Sequence, residues 1–76
     1  MDTKRMIALE FLSVSRKKLD ACESFEQRVI EGKMRLYYLR LALDYGCSLA
    51  ECRMALGVSE MHLVELVKMC RELASS

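Results

Sequence analysis

The chain has no proline and no tryptophan, only three glycines and a single histidine among its 76 residues. Without proline, nothing in the backbone obliges a helix to stop or kink. Strand signals are missing too, since there is no alternating apolar–polar run and no Asn-Gly or Asp-Gly hairpin turn. No stretch approaches the ~18 apolar residues that would span a bilayer. There is no glycine-rich phosphate loop and no Cys-x-x-Cys pair. The start of the chain, Met1 to Arg5 followed by Met6 to Val14, imitates a secretory signal only faintly. Glu10 interrupts its apolar stretch, Ser13, Ser15 and Arg16 end it, and no clean cleavage region follows. The expectation is a soluble cytoplasmic protein that makes no use of a membrane.

Charge of one sign is also scarce. The formal net charge is +1, with nine Lys or Arg against six Asp or Glu in residues 1–40 and three against five in residues 41–76. A dedicated nucleic-acid binder usually carries a distinct basic stripe, and this chain has none. Four cysteines stand at positions 22, 47, 52 and 70. A helix-rich chain without a signal sequence points to reduced, structural thiols rather than to disulfides. Their spacing, with His62 included, does not fit a zinc module, so neither metal nor cofactor is expected.

What is present favours helix throughout. Hydrophobic residues make up 53% of the chain, which is high for a domain of this size. A body this small has little interior, so part of that apolar surface should face a second copy or a partner. From about Thr3 to Leu19, the residues Ile7, Phe11, Val14 and Lys18 share one helical face, with Leu12 and Leu19 beside it. Residues 20–24 hold two candidate capping boxes, Asp20 with Glu23 and Ser24 with Gln27. Residues 3–30 therefore form either one helix or two. Cys22, Phe25, Val29 and Ile30 continue the stripe, and Gly32 weakens the helix.

From Met34 to Tyr45 the pattern is apolar almost all round, which predicts a central helix buried on most sides or the middle of a dimer contact. Ile7, Phe11, Val14, Phe25, Tyr37, Tyr38 and Leu41 are the candidates for that core or dimer surface. Gly46 suits the left-handed position that ends this helix.

The punctuation then sharpens. Ser48-Leu-Ala-Glu51 has the form of a capping box, Gly57 closes a short helix, and Ser59 caps the next, which runs to about Leu73. Leu63, Leu66, Val67, Cys70 and Leu73 form the inward face of that last helix. The run from Ser48 to Leu63 resembles the helix-turn-helix superfamily of short bacterial and phage-type transcriptional regulators. Its pattern S-x-x-E-I-A-x-x-L-G-V-S-x-x-T-V is matched at Ser48, Glu51, Leu56, Gly57, Val58 and Ser59. The likeness covers residues 48–68 of the chain. Arg53 departs from it, because the family has a small alanine where the two helices pack closely; Arg53 must reach out to solvent or the crossing must open.

The resemblance implies an all-α fold: a bundle of three to four helices with a C-terminal helix-turn-helix, preceded by a long N-terminal helix or helical hairpin. Residues 1–31 would form the N-terminal packing or dimerisation segment of this single domain, and 33–73 the tri-helical core. It also implies that Ser59, Glu60, Met61, His62, Val64, Glu65 and Lys68 meet the target; by their charge, Arg35 and Arg53 are candidates to hold a phosphate backbone. Arg16, Lys17, Lys18, Lys33 and Arg40 are further candidates for backbone contact.

Base edges are usually read by Arg, Lys, Asn and Gln, whereas this helix offers two glutamates and two apolar side chains. Two readings follow. One is a DNA-binding transcriptional regulator acting as a homodimer; the other is a protein-binding module of the same shape, such as an anti-activator, adaptor or polymerase-binding factor. Neither takes a small-molecule substrate. No nucleophile or oriented carboxylate pairs with His62 in a known catalytic pattern, so the chain is not expected to be an enzyme.

Overall fold

The computed structural model describes residues 3–75; Met1, Asp2 and Ser76, which belong to the expected single domain, lie outside the described residues. It is all-α, with four helices and no strand among the described residues: α1 (Thr3–Asp20), α2 (Phe25–Asp44), α3 (Leu49–Leu56) and α4 (Glu60–Ser75). The break between α1 and α2 is real. Ser24 takes an extended backbone, and its Oγ accepts the Gln27 N–H at 3.1 Å, which starts α2. Residues 3–30 therefore fold as two helices in an antiparallel hairpin. Helix α2 runs unbroken through Gly32, so the segment boundary expected between 31 and 33 falls inside a helix.

Helix α2 ends where Gly46 adopts φ +88°. Its N–H and that of Cys47 turn back onto the carbonyls of Leu43 and Ala42. Ser48 then opens α3 with a complete capping box. Gly57 closes α3 in the left-handed conformation, φ 65° and ψ 35°, with its N–H on Arg53 O at 2.8 Å. Ser59 Oγ accepts the His62 N–H at 3.2 Å as α4 begins. A turn of three residues, 57–59, thus joins an eight-residue helix to a sixteen-residue one.

The core gathers Ala8 and Leu12 of α1, Leu36, Leu39 and Ala42 of α2, Cys47, Cys52 and Leu56, and Leu63, Leu66 and Cys70 of α4. Val58 and Val67 pack against its edge. Helix α1 lies against both α2 and α3, and α2 also carries α4.

The buried face of α1 is Ala8, Leu12 and Ser15, not the larger stripe of Ile7, Phe11 and Val14. Small side chains allow neighbouring backbones to approach closely, and the Ser15 hydroxyl is satisfied by donating to Leu12 O at 2.8 Å. The expected core role is therefore corrected for Ile7, Phe11, Val14, Phe25 and Tyr37, which are all exposed; Tyr38 and Leu41 are half-buried. Leu73, expected to face inward on α4, is exposed as well. Helix α2 is central in its contacts but open along one side, where Met34, Tyr37 and Tyr45 are exposed.

The glycines yield opposite expectations. An added Cβ at Gly57 would lie 2.5 Å from Cζ of Arg16, in a backbone conformation that L-residues avoid at a cost of roughly 1–2 kcal/mol. At Gly32, inside α2, an added Cβ meets nothing within 4 Å. Gly57→Ala should destabilise the protein by about 1–2 kcal/mol, while Gly32→Ala should stabilise it by ~0.5–1 kcal/mol. Urea denaturation of the two variants beside wild type checks both signs.

Candidate functional site

Three local devices place the α3–α4 corner. At the start of α3, the Ser48 N–H donates to Glu51 Oε1 at 3.0 Å, and the Glu51 N–H donates to Ser48 Oγ at 3.1 Å. Arg5 Nη2 reaches across from α1 to the same Oε1 at 2.8 Å. At the other end of α3, the Arg16 guanidinium lies over Gly57. Inside, Leu56 and Leu63 are buried and Val58 packs at the edge, filling the wedge between the two helices. Arg53, where a small residue was expected, is exposed in the last turn of α3.

On α4 the residues expected to meet a target are exposed: Ser59, Glu60, Met61, His62, Val64, Glu65 and Lys68. Met61 is 80% exposed and Val64 48%. Beside them an apolar groove is lined by Leu49 of α3 and by Leu63, Val64, Val67, Lys68 and Arg71 of α4. Leu49 itself is 53% exposed. This groove was not among the expected features; Leu49 stands on α3 and the other lining residues on α4, so no local spacing in the sequence points to it.

Arg35 is not part of this surface. It is half-buried on α2 and in electrostatic reach of Asp20 at the end of α1. Burial lowers its pKa, Asp20 acts in the opposite direction, and its Nε has no hydrogen-bond partner. Arg16 is the cation that does reach the corner.

The cysteines serve the interior. All four are free; Cys47, Cys52 and Cys70 are buried, and Cys22 is partly exposed. Burial pushes the Cys52 thiol up to about 11, and the Cys70 thiol is raised for the same reason. Cys70 Sγ donates to Leu36 O at 3.2 Å, tying α4 to α2. Thiols held protonated in this way are poor nucleophiles and poor metal ligands. Among the described residues, no three His, Cys, Asp or Glu side chains gather as a metal would require. No helix among them is long and apolar enough to cross a membrane. Comparison with family models, with curated proteins and with solved structures finds no match to this chain.

Glu51 carries the pH-sensitive part of the corner. The Ser48 backbone N–H and then the Arg5 guanidinium hold its carboxyl below the ordinary carboxylate range. A depressed folded-state pKa contributes stability above the unfolded value, and that contribution is lost as pH falls through the folded one. Glu51→Gln should therefore lower the urea midpoint at neutral pH. The gap to wild type should close as the solution is taken to about pH 3. A gap that stays constant with pH would assign the effect to packing rather than to charge.

Proposed function

We propose that this chain is a non-enzymatic regulatory module that docks a partner protein on the corner between α3 and α4. The observation that carries this reading is chemical. On the surface that a helix-turn-helix turns toward DNA, Met61 and Val64 are exposed apolar side chains here, and beside them lies a groove lined by Leu49, Leu63, Val64 and Val67 together with Lys68 and Arg71. Over residues 59–71 the charges are Glu60 and Glu65 against Lys68 and Arg71, with no basic excess. A polyanion would meet two carboxylates and uncovered apolar side chains on that surface. An amphipathic helix of a partner protein suits it better, because it buries its apolar face in a groove lined by Leu and Val, with the exposed Met61 nearby on α4.

A DNA reading has one observation in its favour: two cations, Arg16 and Arg53, flank the corner, with Lys17 and Lys18 exposed close by on α1. Such residues would grip phosphates without reading sequence.

The two readings separate in one paired experiment. The tagged protein is used to capture a partner that is then identified and purified, and in parallel to bind random duplex DNA across a salt series. Binding to the purified partner should persist as salt rises and should weaken at least tenfold in Met61→Asp and Val64→Asp, with Arg53→Glu close to wild type. DNA binding that falls steeply with salt and is lost in Arg53→Glu would overturn the proposal in favour of the nucleic-acid reading.

A further inference from the structure

Away from the α3–α4 corner, the α1–α2 hairpin leaves a broad apolar face open. On α1 it consists of Ile7, Phe11 and Val14, and on α2 of Ile30, Met34 and Tyr37, with Tyr38 and Leu41 half-buried at the seam. Phe11 stacks on Tyr38 with ring centroids 5.4 Å apart, which joins the two stripes into one surface. Both stripes follow the spacing of four and three residues that lets one helix knob into another at a shallow crossing angle. The side chains of the two stripes are 38–61% exposed, so both stay uncovered along their length.

We propose that a second copy of this chain covers this face, the two hairpins closing into a four-helix bundle about a two-fold axis that runs along the seam. The register is what points to a second copy. Within one chain, Phe11 lies level with Tyr38, and Val14 and Lys18 of α1 line one groove with Glu31 and Met34 of α2. The antiparallel course of the hairpin extends the same register by one turn to Ile7 and Leu41.

Rotation about the seam lays α1 of one copy on α2 of the other without changing any of these levels. Apolar rows then meet apolar rows, and Lys18 meets Glu31 of the partner subunit. Residue i of one copy thus faces residue j of the other and the reverse, as an isologous contact requires. Phe25 belongs to a different surface: it is 80% exposed but lies half a turn around α2 from Met34. The inference stands independently of what α4 binds.

Sedimentation equilibrium over a concentration series tests it, with circular dichroism melts confirming that each variant folds. The wild type should be a dimer at about 0.1 mM. Ile30→Glu and Val14→Asp should each weaken association at least tenfold, and Phe25→Asp should leave it unchanged. Lys18→Glu should weaken it a few-fold, and adding Glu31→Lys in the same chain should restore it. A wild type that stays monomeric at that concentration would overturn the proposal. So would a dimer indifferent to Ile30→Glu and Val14→Asp, or one lost in Phe25→Asp.

Discussion

Helix α1 grips α3 at both ends, and the rest of the molecule is arranged around that grip. Arg5 closes on Glu51 where α3 begins, and Arg16 lies over Gly57 where it stops. The two arginines stand three turns apart on α1, about 16 Å. The span from Ser48 to Gly57 is about 13 Å by the same rise, so parallel helices match their ends. A helix of eight residues is too short to persist in water on its own. Here it is held by its capping box, by the two arginines, and by burial of Cys52 and Leu56 beneath it. With α3 fixed, the left-handed Gly57 sets the direction in which α4 leaves.

The size of the chain dictates what remains outside. The interior is built largely from Leu, Ala and Cys, with Ser15 as the one buried polar residue among the described residues. Small residues at the crossings let four helices close on so little material. The cost is that the bulkier side chains, among them Phe11, Ile30, Tyr37, Met61 and Val64, are left on the surface. Scattered singly they would mean little, but here they collect into two surfaces, one along the α1–α2 hairpin and one at the α3–α4 corner.

The sequence was most legible where a local rule acts on neighbouring residues. The capping box of Ser48 with Glu51, the cap at Ser59 and the left-handed glycines at 46 and 57 all appear where their spacing places them. Between residues 20 and 24 two cap candidates competed, and only the geometry of Ser24 decides for two helices. The inward face of α1 was not legible. Periodicity favours the largest apolar stripe, whereas close packing against two neighbours selects Ala8, Leu12 and Ser15 instead. The same bias put Leu73 inside.

Contacts between distant residues left no local trace at all. Arg5 and Glu51 are 46 positions apart, and nothing in the spacing of either predicts their meeting. Arg35 reads from its pattern as an outward cation, but the fold half-buries it within electrostatic reach of Asp20. The apolar groove at the corner depends on Leu49, whose place beside α4 follows only from the turn between the helices.

Native-state hydrogen exchange tests the grip most directly. The amides of Cys52 and Gly57, which donate to Ser48 O and Arg53 O, report on the two ends of α3, and Leu39 reports on the centre of the core. If α1 holds α3 as described, the amides of Cys52 and Gly57 open only when Leu39 does, with the same free energy and the same dependence on denaturant. Rapid exchange of the α3 amides through a local opening, while Leu39 stays protected, would contradict the account.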